Sequence, residues 1–252
     1  MPRAYLRPTI HGLRDSNFKI DRAETHLKAL VKVVDDLREA KPYVVTTSFD
    51  IKKNHLTYRI EMKELPEEVG LIAGEFAYSL RSALDNLAWQ LALLVSVNPR
   101  RQTEFPILSK KVPGGFGAKT RDIIPEALSI LESLQPYVLG DRYKEHPLWI
   151  LNTLGNLDKH VSIPLHATNL RIRIDGGVPI LKHREKGFAT ELTIPRSERH
   201  RAQLHIEPIE ILFGRPMDGA GDSFELRLAG FATLHKFVRD QVLPKFTHFF
   251  HR

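Results

Sequence analysis

Two short polar clusters carry the residue types best suited to chemistry. The first is Arg81, Asp85 and Asn86, set within Leu80-Arg81-Ser82-Ala83-Leu84-Asp85-Asn86-Leu87-Ala88. The second is Asn152, Asn156, Asp158, Lys159 and His160. A guanidinium offers a planar fork of N–H groups that matches a phosphate, and an imidazole exchanges a proton near neutral pH. Brought within hydrogen-bond reach of one another, Arg81 and Lys159 would hold a phosphodiester and His160 would move the proton. Asp85 and Asn156 would orient them, with Asp158 beside them. The same residues also admit a structural reading. Basic residues gather at helix C-termini on electrostatic grounds alone. An Arg–Asp pair at i,i+4 is an ordinary helix-face ion pair, worth about 0.2–0.5 kcal/mol.

Other chemistries find less support. There are no cysteines, which excludes a disulfide framework, a thiolate metal site and a cysteine nucleophile. The twelve histidines form no HExxH or comparable ligand spacing, so no metal and no cofactor is expected. Glu75, Asp85 and Asp158 would make an oxygen-rich cation site only if their helices touch. No Gly-x-Ser-x-Gly elbow is present. Pro113-Gly114-Gly115-Phe116-Gly117 lacks the Gly-Lys-Ser/Thr ending of a phosphate loop and reads as a turn. Trp89 and Trp149 would either stack on a base or anchor helix packing.

The elements that must position these residues follow from periodicity. A helix is expected over 16–40, where Leu27, Leu30, Val31, Val34 and Leu37 recur at helical spacing. Two alternating segments within 43–62 read as a hairpin. A long helix over 66–96 opens with Pro66-Glu67-Glu68 and stops before Asn98-Pro99. Its apolar face is Phe76, Leu80, Leu84, Leu87, Leu91 and Leu94; Glu75, Ser79, Ser82, Asn86 and Gln90 form a polar stripe. Short helices are expected over 124–134 and 146–160. Strands follow over 162–213, and a last helix over 225–250 is kinked by Pro244. The expected class is α+β: one domain over 1–252, a bundle of four or five helices with inserted antiparallel β hairpins or a small sheet.

The 252 residues are 42% hydrophobic, as in a globular chain, and carry a formal net charge of +7. That balance favours anionic partners, RNA or other nucleic acid among them. The long helix is broken by Glu75, Arg81 and Asp85, and Met1–Asn17 lacks an apolar core, so neither a membrane span nor a secretory leader is expected. A cytoplasmic protein is the expectation.

The segment from Gly74-Glu75 through Ala88 resembles one in many uncharacterised bacterial and phage proteins, in which Leu-Arg-Ser-Ala-Leu-Asp is usually followed by His. Asn156-Leu157-Asp158-Lys159-His160 resembles a second, Asn-x-x-Asp-Lys-His segment of those proteins. Phe105-Pro106-Ile107 and Leu134-Gln135-Pro136-Tyr137 lie between the two. The Arg-x4-His pattern of such relatives is similar to the signature of HEPN domains. These are helical bundles, often dimeric, found in toxin and phage-defence ribonucleases and in noncatalytic nucleic-acid-binding proteins. The resemblance implies a HEPN-like fold, Arg81 on phosphate, and a homodimer. The His position is Asn86 here, and an amide transfers no proton at neutral pH. Either His160 takes that role in a metal-independent ribonuclease, or the module is noncatalytic. In the latter case Arg81, Asp85, Asn86 and Asp158 form a buried polar network that specifies packing.

Overall fold

The computed structural model describes residues 9–160, 162–168, 172–177, 180, 182–186, 189–206, 210–215 and 224–251. Five α-helices and nine strands occur among them. The helices are α1 (Arg14–Glu39), α2 (Glu67–Leu93), α3 (Pro125–Ser133), α4 (Pro147–His160) and α5 (Leu228–Lys236). The strands are β1 (Tyr43–Asp50), β2 (His55–Met62), β3 (Leu165–Thr168), β4 (Ile172–Asp175), β5 (Lys182–Lys186), β6 (Ala189–Pro195), β7 (Gln203–Ile206), β8 (Glu210–Arg215) and β9 (Phe224–Arg227). All strand pairs are antiparallel. The class is α+β, as periodicity indicates. The backbone divides into two compact units built from discontinuous segments.

The first unit takes Met1–Leu30, Gly70–Ile163 and Ala229–Arg252. Its axis is α2. The expected apolar face is there, with Phe76, Leu80, Leu84, Leu87 and Leu91 fully buried. The polar stripe is only partly solvated: Ser79 and Gln90 are buried, Ser82 and Asn86 are half-buried, and Glu75 is exposed. Ser16 Oγ donates to the Ala83 carbonyl at 2.9 Å, tying α1 to α2, and Gln90 Oε1 accepts the His11 N–H at 2.7 Å. The Phe76 ring meets Phe231 edge-on at 5.3 Å, which docks α5. Beyond Lys236 the last helix changes pitch, with wide π turns over Phe237–Val242 and tight 3-10 turns over Leu243–Phe250. Pro244 lacks the N–H an α-helix would need there, and the tighter winding starts beside it.

The second unit takes Val31–Val69 and Pro164–Leu228. Its main sheet runs β1-β2-β6-β5, beside a β3-β8-β9 sheet and a β4-β7 ribbon. Leu56 and Ile60 on β2, with Leu192 and Ile194 on β6, point to one face, as alternation requires. Ile174 packs there with Leu204 from the ribbon. The expected strand over 204–213 is two strands in different sheets, and the start of the expected last helix is β9. Four residues are too few for periodicity to separate strand from helix.

Candidate functional site

Arg81 and Asp85 lie one turn apart on α2, and Arg81 Nη2 sits 3.0 Å from Asp85 Oδ1. Both reach past the helix to Phe105, in a segment that joins no helix or strand. Arg81 Nη2 donates to the Phe105 carbonyl at 2.7 Å, and the Phe105 N–H donates to Asp85 Oδ1 at 3.0 Å. The reason is local. The Phe105 ring is fully buried, so its backbone groups are drawn away from water with no ladder to join. One ion pair satisfies both.

Gln135 repeats the device one residue further on. Its side chain is fully buried. Nε2 donates to the Pro106 carbonyl at 3.0 Å and to the Leu131 carbonyl at 2.9 Å, and Oε1 accepts the Leu108 N–H at 2.9 Å. The amide thus ties the C-terminal end of α3 to the 105–108 segment.

The Asp85 carboxyl is raised above its ordinary pKa, chiefly by burial, against the lowering effect of the Arg81 charge. Arg81 Nη1 is buried and has no partner among the described residues. Nη2 is thus engaged by Phe105 and Asp85, and Nη1 is closed off from solvent.

The clamped segment leads into an open groove of about 600 Å³, lined by Leu108, Lys111, Val112, Phe116, Glu132 and Tyr137 together with the glycine turn. Gly114 and Gly115 both hold positive φ, a backbone state that suits glycine, and this turn bounds the groove. Lys111 Nζ lies 2.5 Å from Glu132 Oε1, and that hydrogen bond holds the Glu132 carboxyl below its usual range. The Tyr137 phenol is pushed up by burial and then by the Glu132 charge. Ammonium, carboxylate and phenol therefore sit beside the Leu108 and Phe116 side chains.

The second polar cluster meets α2 elsewhere. The Asp158 carboxylate lies against Gly74, where an added Cβ would stand 1.9 Å from Oδ1. Its pKa is raised, first by burial and then by the charge of Glu75. Glu75 Oε2 is in turn 3.1 Å from His26 Nδ1. Asn156 and Lys159 are exposed, and Asn86 is half-buried on α2. His160 is the last residue of α4; its side chain lies outside the described residues. Arg81 stands seven residues beyond Gly74, about 10 Å along the helix axis, and its tip is directed onward to Asp85 and Phe105. Asn86 follows Arg81 by five residues, roughly 140° around the helix. The structure thus brings α4 to α2 at Gly74 and Glu75, and Arg81 to Asp85. No group of three or more His, Cys, Asp or Glu suited to a metal occurs among the described residues.

Two glycines give a paired prediction. Alanine normally stabilises a helix interior by about 1 kcal/mol over glycine. At Gly155 of α4 an added Cβ meets nothing within 4 Å, so Gly155→Ala should raise the melting temperature by about 2–4 °C. At Gly74 the methyl displaces the Asp158 carboxylate, so Gly74→Ala should bring no gain or a loss. Thermal unfolding of the two variants checks the contrast, and a rise of equal size in both would contradict the contact.

Asp158 also gives a pH signature. Its folded-state pKa is raised, so its contribution is present below the unfolded value and is lost as pH rises through the folded one. Asp158→Asn should therefore be more stable than wild type at neutral pH. The difference should vanish below the ordinary carboxylate range, about pH 3.9. Denaturant unfolding across pH measures it; a variant less stable at pH 7 would mean that the carboxylate has a favourable partner.

No family model, curated protein or solved structure matches the chain. Sequence reasoning missed Gln135 and the Phe105 backbone as organising groups, and missed Gly74 as the point of close approach. A signal exists for Gly74: a mid-helix glycine is unfavourable, which suggests that a neighbour needs the space. None exists for Gln135, whose partners are backbone atoms.

Proposed function

We propose that the chain is a noncatalytic nucleic-acid-binding module with a HEPN-like helical core, in which Arg81 and Asp85 organise the fold and the groove lined by Leu108, Lys111, Phe116 and Tyr137 receives a single strand. The observation that carries this reading is the engagement of the Arg81 guanidinium with Phe105 and Asp85. The groove supports the reading with an exposed ammonium at Lys111, which a phosphate would draw away from Glu132, and with the rings of Phe116 and Tyr137 for stacking. The +7 balance supports an anionic partner.

Fluorescence anisotropy with a labelled single-stranded RNA tests it. The expected result is salt-dependent binding, weakened about fivefold or more by Tyr137→Ala as loss of one stacking platform requires. Incubation in EDTA should leave the RNA intact. Absence of binding at low salt would overturn the reading.

A second reading, a metal-independent ribonuclease of defence or toxin type, is favoured by the exposed Lys159 beside His160 at the C-terminus of α4, where the helix dipole supports a cation. Cleavage in EDTA by wild type, absent in His160→Ala, would establish it in place of the first.

A further inference from the structure

The first strand of the main sheet is an edge strand left open in a way that edges ordinarily are not. β1 pairs with β2 on one side, and among the described residues no strand pairs with its other side. Every residue from Val44 to Asp50 is exposed. The register with β2 is unbroken from Tyr43 to Asp50, so no bulge twists the edge away. Natural edges are blunted by lysine, proline or a bulge; Tyr-Val-Val-Thr-Thr-Ser-Phe-Asp contains none of them.

The direction of the free backbone groups follows from the ladder. The Lys63 N–H donates to the Pro42 carbonyl, so the backbone groups of Val44, Thr46, Ser48 and Asp50 face β2 in alternation. Those of Val45, Thr47 and Phe49 face outward. The side chains of these three stand on the face of their partners Ile60, Tyr58 and Leu56, so they extend the apolar face of the sheet beyond its cover. Val45 is 39% exposed and Phe49 38%, while Ile60 and Leu56 are buried. Arg196 stacks over the Phe49 ring at 4.4 Å and leaves the rest of that overhang open.

We infer that β1 pairs antiparallel with β1 of a second copy, making one continuous eight-stranded sheet across a two-fold axis at Thr47. A two-fold normal to the sheet keeps each residue on its own face, so only residues of like parity can oppose one another. With Thr47 opposite Thr47, Val45 meets Phe49 and Tyr43 meets Ile51, which is 82% exposed. Each apolar residue of the overhang is then covered by another, in the β-branched and aromatic pairs that stabilise sheets. The outward N–H and C=O groups of Val45, Thr47 and Phe49 complete the ladder. A short strand pair buries less than a standard interface, so a micromolar dimer is expected rather than an obligate one.

Sedimentation velocity of the full chain over a concentration series tests this. The expected result is a monomer–dimer equilibrium, weakened at least about tenfold by Val45→Lys, a charge of the kind natural edges use against pairing. Because Val45 is part-exposed, that variant should keep the wild-type melting temperature of the dilute protein. The chain has no cysteine, so the double variant Thr46→Cys/Ser48→Cys reports the register by itself. With Thr47 opposite Thr47, residue 46 of one copy opposes residue 48 of the other in a non-hydrogen-bonded pair. Their Cα atoms stand about 4.5 Å apart, with side chains close enough for a disulfide, and oxidation should yield a covalent dimer. A wild-type monomer throughout, a dimer indifferent to Val45→Lys, or no covalent dimer from Thr46→Cys/Ser48→Cys would each overturn the proposal.

Discussion

Replacing Gln135 by leucine should lower the melting temperature by about 6–12 °C, the shift that about 3 kcal/mol produces in a chain of this size. The side chain is fully buried and close to leucine in volume, so little cavity is created. What is lost is pairing. The Pro106 carbonyl loses its donor and the Leu108 N–H its acceptor, and each orphaned buried group costs about 1–3 kcal/mol. The Leu131 carbonyl suffers less, because it also accepts from the Leu134 N–H. Calorimetric unfolding checks the size of the effect. A shift below about 2 °C would mean that the amide is not what holds the segment.

Arg81→Ala should be nearly as damaging. It strips the Phe105 carbonyl of its donor and leaves the Asp85 carboxylate without its counter-charge. Breaking a fully buried pair costs about 3–5 kcal/mol. The Asp85 side chain is 36% exposed, so solvent relieves part of this and about 2–3 kcal/mol is expected. The double variant Arg81→Ala/Asp85→Ala should lose less than the sum of the two single variants, since each single change already breaks the same pair. Strict additivity would show that the two residues act separately. In contrast, a residue whose task is to hold phosphate would be removable with little loss of stability.

The polar residues of α2 show where sequence patterning is informative and where it ends. The helix itself, and the face from Phe76 to Leu91, follow from a strong 3.6-residue period. The period could not show that Ser79 and Gln90 are covered as well, because burial of a polar side depends on neighbours distant in sequence. The β1–β2 hairpin was legible in its alternation, and its edge position was not, because strand order is a property of the whole sheet. The Arg81–Asp85 pair was legible as an i,i+4 contact. Its attachment to Phe105, twenty residues on, was not, because the backbone atoms that receive it carry no residue type. The contact of α4 with α2 rests on Gly74 and Asp158, and patterning alone does not register the two helices. The HEPN-like resemblance therefore stays with the proposal.

Amide hydrogen exchange at Phe105 and Leu108 tests the central claim most directly. Both amides belong to a segment outside any helix or strand, and each is held by one side chain. The account predicts slow exchange at both positions in the wild type, approaching that of the α2 core. Protection at Phe105 should vanish in Asp85→Ala, and protection at Leu108 should vanish in Gln135→Leu, with α2 still protected in each. Rapid exchange at Phe105 in the wild type, with Arg81→Ala fully stable but unable to bind RNA, would contradict it and return Arg81 to the phosphate.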